Sequence, residues 1–204
     1  MKKIITISRQ FGAGGGEIGR RTAEALGIAF YDKDLILQTA KASAGLSPAE
    51  VRRWDEKVPA DFGFTQSLFD FYNRPLGDKL WEAQVKAIRE IADRESCVIV
   101  GRNADYILRE FDHCLRVFVH ADFEWRAERM SHKMPDATPE KLRADIKSAD
   151  KARKNYCTHF TGRRYADATN YDLTLCTSKL GIDAALDQVL RAAARSDAAP
   201  PRLW

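Results

Sequence analysis

KIITISRQFGAGGGEIG, residues 3–19, is the stretch whose reading decides the fold. Lys3, Ile4, Ile5, Thr6 and Ile7 favour a strand, and Gly12, Gly14, Gly15, Gly16 and Gly19 crowd the positions that follow. Glycine at that density serves a close approach of backbone to a ligand. Glu17 to Ala25 reads as a helix, closed by Gly27 at its C-terminal cap. A strand, a glycine loop and a helix N-terminus aim backbone N–H groups and the positive end of a helix dipole at one point, which is a site for phosphate.

Two phosphate-binding patterns compete for the loop. Gly14, Gly16 and Gly19 spell the dinucleotide fingerprint G-x-G-x-x-G, and Asp32, ending the apolar stretch Ile28–Tyr31, stands where a ribose-binding acid belongs. In a dinucleotide turn, however, the first glycine follows the strand almost at once. Here Arg9, Gln10, Phe11, Gly12 and Ala13 intervene, and a loop of that length suits a P-loop better. Against G-x-x-x-x-G-K-[ST], with one extra residue before the hydroxyl, the frame runs from Arg9 to Glu17. Gly14 matches; Arg9 replaces the first glycine, Gly15 the lysine and Glu17 the hydroxyl residue. The phosphate-binding set is then Gly12, Ala13, Gly14, Gly15, Gly16 and Glu17. The lost lysine neutralises a transferring phosphoryl group and the lost hydroxyl helps to hold magnesium. Unit charges ~4 Å apart interact by about 4 kcal/mol at an effective dielectric near 20, so a working site needs another cation. Arg9 is the nearest, followed by Arg20 and Arg21.

Together with AEALGIAFYDKDLI, GRNADYIL, DKARKNY and YDLTLCTSKLG further on, this stretch resembles the cytidylate-kinase-like family of P-loop kinases, from Lys3 to about Val189. The resemblance implies a three-layer α/β fold with a five-stranded parallel sheet in the order 2-3-1-4-5. It implies ATP or another nucleoside triphosphate, Mg2+, and a phosphorylated small-molecule acceptor such as a cytidylate. The family usually carries a basic residue where Gly16 stands, has Asp where Asn103 stands, and has Ser and Arg where Lys33 and Gln38 stand. By this resemblance the acceptor is bound by Asp32, Lys33, Arg102, Asn103 and Asp150, with Asp32 also a candidate for magnesium. A basic lid contributes Arg153, Tyr156 and Arg163, and the catalytic cations are Arg9, Arg102 and Arg153.

Composition agrees with one α/β core. The 204 residues suffice for a single domain with a small insertion, and 45% apolar with 30% charged is ordinary for a globular chain. A net charge of +4 suits a phosphorylated small molecule and falls short of a nucleic-acid stripe. No apolar run approaches the ~20 residues of a membrane span, and the N-terminal Met-Lys-Lys enters a strand without the apolar core of a signal peptide. Cys97, Cys114, Cys157 and Cys176 are scattered with no C-x-x-C pair, which reads as reduced thiols of a cytoplasmic protein. The domain is expected over 1–194, with an insertion at about 47–94, a lid at about 134–165 and a flexible tail over 195–204.

Along the chain, Ala29–Tyr31 forms a second strand, and Asp34–Ala42 a helix for which Asp32 is also a candidate cap. Ser47-Pro48-Ala49-Glu50 is a capping box. Pro59–Pro75 holds aromatics suited either to stacking on a base or to a local core. Leu76–Arg94 has a helical period, and Cys97–Gly101 is a strand buried on both faces. It ends in Gly101-Arg102-Asn103, where Arg102 sits at the carboxyl end of a central strand, the ligand-binding end of an open α/β sheet. Leu115–Val119 is the next strand. Arg126 and Arg129 share a face of the helix after it, placed for phosphate or for solvent. Thr138-Pro139-Glu140 starts a long helix bearing Lys141, Arg143, Lys147, Lys151, Arg153 and Lys154, either a lid or a solvated basic helix. Tyr171–Cys176 and Ile182–Ala194 supply a fifth strand and a last helix. Phosphoryl transfer is the leading function. The absent lysine, the absent hydroxyl and Asn103 raise a catalytically silent nucleotide-binding module as the alternative, with a dinucleotide enzyme behind it.

Overall fold

A computed structural model of the chain describes residues 2–36 and 74–195. The strands β1 (Ile4–Arg9), β2 (Ala29–Tyr31), β3 (Cys97–Val100), β4 (Cys114–His120) and β5 (Leu173–Cys176) form one sheet in the order β2-β3-β1-β4-β5, as expected. Every pairing is parallel. Ile7 pairs with Val100 on one side and Val117 on the other, so β1 is central and the chain winds both ways from it. That is the switch point at which open α/β sheets bind ligands. Because β3 lies between β1 and β2, the order also departs from the 3-2-1 half-sheet of dinucleotide folds.

The sheet is covered on both faces, which is why its strands read as continuous apolar runs. Ile5, Ile7, Val98, Val100, Val117 and Val119 meet α1 (Gly15–Leu26) and α6 (Thr177–Arg195) on one face. Ile4, Cys97, Ile99 and Cys114 meet Ile88 and Ile91 of α2 (Arg74–Arg94) and Ile107 of α3 (Ala104–Ile107) on the other. A fully buried isoleucine contributes roughly 1.5–3 kcal/mol of transfer free energy, and Ile5 and Ile7 are both wholly inaccessible. Outside the sheet, α4 (Phe123–Lys133) packs on α5 (Pro139–Thr161) through Ala127, Met130, Leu142 and Ile146.

Several boundaries follow their signals. Gly27 caps α1 in the left-handed conformation, and the Thr138 side chain accepts the Lys141 N–H ahead of Pro139. Helix α1 starts at Gly15, earlier than Glu17, because Gly14 takes the left-handed cap position with φ 89°. The final helix begins with a turn at Thr177–Leu180 and is broken at Gly181 before the expected segment. Of the helix expected over Asp34–Ala42, the described part is the first turn, residues 33–36. The capping box at Ser47–Glu50, nearly all of the aromatic stretch and the tail from Ser196 lie outside the described residues. Among the described residues, no helix is long and apolar enough to cross a membrane.

Candidate active site

Between β1 and α1 the backbone turns through Gly12 (φ 78°) and Gly14 (φ 89°), conformations that glycine adopts without a steric penalty. The loop carbonyls are drawn outward by side chains from distant elements. Arg9 O accepts from Arg153 Nη1 at 2.6 Å and from the Tyr165 hydroxyl. Phe11 O accepts from Arg126 Nη1 at 3.0 Å, Gly12 O from Arg129 Nη1 at 3.3 Å, and Ala13 O from Thr177 Oγ1 at 2.8 Å. The first helical amide to bond back is that of Ile18, to Gly14 O, so the amides of Gly15, Gly16 and Glu17 head the helix without an intrahelical acceptor. Carbonyls held out and amides left at a helix start make a concavity for an anion. It opens into a cavity of about 650 Å3, lined by these glycines together with Arg20, Arg21, Arg129, Lys133 and Arg153.

Asp150 lies beneath the loop. Its Oδ1 accepts the Phe11 N–H at 2.8 Å and its Oδ2 meets Arg126 Nη1 at 2.6 Å. Arg126, expected to face phosphate or solvent, is instead buried and bonded to backbone, donating from Nε to Ala121 O at 3.1 Å as well as to the loop. Arg129 also donates to the loop, and pairs with Glu17. Glu17, at the hydroxyl position of the pattern, is enclosed by Arg129, Lys133 at 3.7 Å and Arg21 at 3.9 Å.

A second group of cations gathers at the carboxyl ends of β1, β2 and β3. The Arg9 side chain crosses towards Gly101, where an added Cβ would fall 1.9 Å from Arg9 Nη1. Burial, then the like charges of Arg153 and Arg102, pull the Arg9 guanidinium down to about 9, against Tyr165 and Asp32. Lys33 is lowered by burial, with Arg102 and Arg9 adding to it and Asp34 and Asp32 opposing. Arg102 and Asn103 both hold positive φ, 57° and 52°, directly after Gly101 at 84°. A left-handed non-glycine residue costs about 1–2 kcal/mol, and such strain is found where a side chain must be aimed. Burial raises the Tyr156 hydroxyl, which is within bonding reach of Arg102 and donates to Gln84 Oε1 at 3.4 Å.

The remaining candidates are placed as follows. Asp32 Oδ1 accepts the amides of Asp34 and Leu35, both at 3.0 Å, so Asp32 caps the helical turn while adding its charge beside Arg9 and Lys33. Asn103 caps α3, and its Nδ2 is buried with no hydrogen-bond partner. Arg163 stacks its guanidinium 4.9 Å from the Tyr106 ring centroid. Of the basic residues on α5, Arg153 faces the loop, while Lys141, Arg143, Lys147, Lys151 and Lys154 are exposed. Arg143 pairs with Glu124 at 2.7 Å and Lys141 with Asp145 at 2.9 Å. Sequence reasoning missed Tyr165 and Thr177, which hold loop carbonyls, and the buried contact of Ser8 Oγ with Asp105 Oδ1 at 2.9 Å. The first two carry no local signal. Asp105, buried at 6% exposure beside the GRN turn, was marked only by its place in that motif.

A glycine loop at the switch point of a 2-3-1-4-5 parallel sheet, with cations at the strand ends, defines a P-loop kinase fold. A model of the cytidylate kinase-like family matches residues 4–179, and the chain belongs to that family. Cytidylate kinase from Pyrococcus horikoshii is 24% identical over 178 residues, covering 87% of this chain and 81% of the relative. An uncharacterized protein from Eubacterium ventriosum superposes with a TM-score of 0.74 at 24% identity, over 95% of this chain and 99% of that one. Shikimate kinase from Bacteroides thetaiotaomicron shares the fold at a TM-score of 0.53 and 13% identity, over 94% and 98% of the two chains.

Proposed function

We propose that this chain is a nucleotide-dependent kinase that moves the terminal phosphoryl group of ATP to a (deoxy)cytidylate-like monophosphate. The observation that carries this reading is the gathering of Arg9, Lys33, Arg102 and Arg153 where the glycine loop meets the strand ends. Phosphoryl transfer requires positioning and charge neutralisation more than covalent chemistry, and like charges held together in partly buried positions suit an anionic substrate. The loop amides would take the triphosphate of the donor, and Arg102 and Lys33 the phosphate of the acceptor. Magnesium, bound through few carboxylates and the substrate phosphates, fits Asp32, whose two capping amides both use Oδ1. Bound there, the ion would neutralise charge on the phosphates. Asp32 would supply the protein ligand, while Arg153 and Tyr165 hold the loop carbonyl of Arg9. The four cysteines, all free thiols, support a cytoplasmic setting.

The second reading is a silent nucleotide-binding module. Glu17 favours it, because the hydroxyl position is filled by a carboxylate paired with Arg129, which adds negative charge beside the phosphate loop. One experiment separates the two: ATP with Mg2+ is offered with a panel of nucleoside monophosphates, including CMP and dCMP, and phosphorylated metabolites. Nucleoside diphosphate formation from a cytidylate is the expected result. Tight ATP binding without transfer to any acceptor selects the module, and stabilisation by NAD but not by ATP rejects both.

A further inference from the structure

Gly15 occupies the lysine position of the P-loop pattern, and the reason for a glycine there is spatial. No positive φ is required of it, yet an added Cβ would lie 2.6 Å from Arg9 Cβ, 3.0 Å from Arg9 Cγ and 3.4 Å from Val119 Cβ. The near atoms are the root of the Arg9 side chain, fixed to β1, and cannot swing away as a chain terminus can. A side chain at 15 and a long side chain at 9 therefore exclude each other. Gly16 provides the contrast, since nothing lies within 4 Å of a Cβ added there. Beyond Gly15 the Arg9 side chain runs on to Gly101, whose Cβ would meet Nη1 at 1.9 Å and Cζ at 3.0 Å. The two glycines thus form a trough for one arginine, leading from the root of the phosphate loop to the strand end that bears Arg102. The backbone of Arg9 is fixed at the same time, through its carbonyl, by Arg153 and Tyr165.

We infer that Arg9 and Gly15 are a reciprocal exchange, in which the cation for the nucleotide's polyphosphate is delivered from the end of β1 and not from the start of α1. The inference rests on the proposed binding of a triphosphate in this loop. It adds which residue carries the charge, and why the lysine position is glycine. An arginine so placed offers a forked donor to two phosphate oxygens. Burial already holds its guanidinium at the expense of the charged form, a cost that a bound anion offsets.

The test compares the wild type, Arg9→Met, Gly15→Lys and the double variant Arg9→Gly/Gly15→Lys, which restores the first glycine and the lysine of the P-loop pattern. Affinity for ATP and for inorganic tripolyphosphate is read by calorimetry, beside the melting temperature without ligand. Arg9→Met is expected to bind both ligands about 10-fold to 100-fold more weakly, the range for losing a charge-assisted hydrogen bond, without a lower melting temperature. Gly15→Lys alone is expected to lower the melting temperature through its collision with Arg9, and the double variant to recover both folding and binding. Wild-type affinity in Arg9→Met overturns the inference, as does a folded double variant that binds no better than Arg9→Met. If the double variant does not fold, Arg9→Met and Arg9→Gln decide alone. A wild type that binds neither ligand overturns the inference and the kinase reading together. Binding that depends on Arg9, with no transfer to any acceptor, overturns only the kinase reading.

Discussion

Replacing Asp150 with alanine tests whether the phosphate loop is held in shape by an ion pair from outside it. The carboxylate serves two partners, the Phe11 N–H at 2.8 Å and Arg126 Nη1 at 2.6 Å. The Arg126 side chain is 6% exposed and that of Asp150 22%, so the pair is largely screened from water. Deleting one member of a buried pair costs about 3–5 kcal/mol, because the other charge stays behind. Arg126 keeps its bonds to the carbonyls of Ala121 and Phe11, and Asp150 is partly solvated, which places the cost near the lower figure. For a chain of this length about 3 kcal/mol corresponds to a fall of roughly 6–12 °C in melting temperature. Asp150→Asn retains an acceptor for Phe11 and should lose about half as much. The double variant Arg126→Met/Asp150→Leu removes both charges and should be destabilised by less than the sum of its single changes, with a coupling of about 1 kcal/mol or more. Urea and thermal unfolding at neutral pH give these values. A cost below about 1 kcal/mol for Asp150→Ala, or no coupling in the cycle, would refute the claim that this pair holds the loop.

Burial raises the Asp105 carboxyl above its ordinary range, with the Ser8 bond and Arg163 opposing. A raised folded-state pKa means that stability falls as pH rises from the unfolded value through the folded one. Asp105→Asn should therefore be more stable than the wild type at neutral pH, with the difference closing towards acid in melts from pH 3 to 8; a less stable variant at pH 7 contradicts this. Gly14→Ala should lose about 2–4 kcal/mol, combining a left-handed alanine with a Cβ placed 2.3 Å from Ile182 Cδ1. Its urea midpoint measures that loss, and a value near the wild type's would show that the cap is tolerant. Glu17→Gln removes a negative charge beside the anion concavity and frees Arg129. It should tighten ATP binding about fivefold, from roughly 1 kcal/mol of screened repulsion, and weaker binding in calorimetry would place Glu17 on the ligand instead.

How much of this was legible in the sequence depends on how far apart the partners lie. The run Cys97–Val100 and the signals at Gly27 and Thr138-Pro139 report on their own neighbourhoods, and the structure follows them. Helix α3 escaped because Ala104–Ile107 is a single turn entered from left-handed Arg102 and Asn103, with no period to detect. The first turn of α6 escaped because Thr177 continues an apolar strand, and its hydroxyl finds Ala13 O 164 positions away. In the site, the loop frame was readable because it is contiguous. The partners of its carbonyls were not, since Arg126, Arg153, Tyr165 and Thr177 are chosen by the packing of α4, α5 and α6 around the loop. Asp150 and Arg153, three positions apart, share a face of α5, but nothing in that spacing says that the face meets Phe11 and Arg9.

The changed residues of the loop form one electrostatic rearrangement. With glycine at 15 and 16, the start of α1 carries no side-chain cation, and Glu17 adds an acid there that Arg129, Lys133 and Arg21 enclose. The positive charge has moved to the sheet, to Arg9 at the end of β1, Lys33 after β2 and Arg102 after β3, with Arg153 reaching in from α5. In phosphoryl transfer the charge to be neutralised lies on the oxygens of the group passing between donor and acceptor. Under the proposed function, a cation on the strand end would serve that path in place of one on the helix, and the amides of the loop would bind the parts of the donor that do not move. Arg9, in contact with the trough at Gly15 and Gly101 alike, would under the proposed reaction hold the terminal phosphate before transfer and accompany its charge during it. The departure from the lysine pattern and the cluster at the strand ends thus have a single cause, the side from which the loop receives its cation.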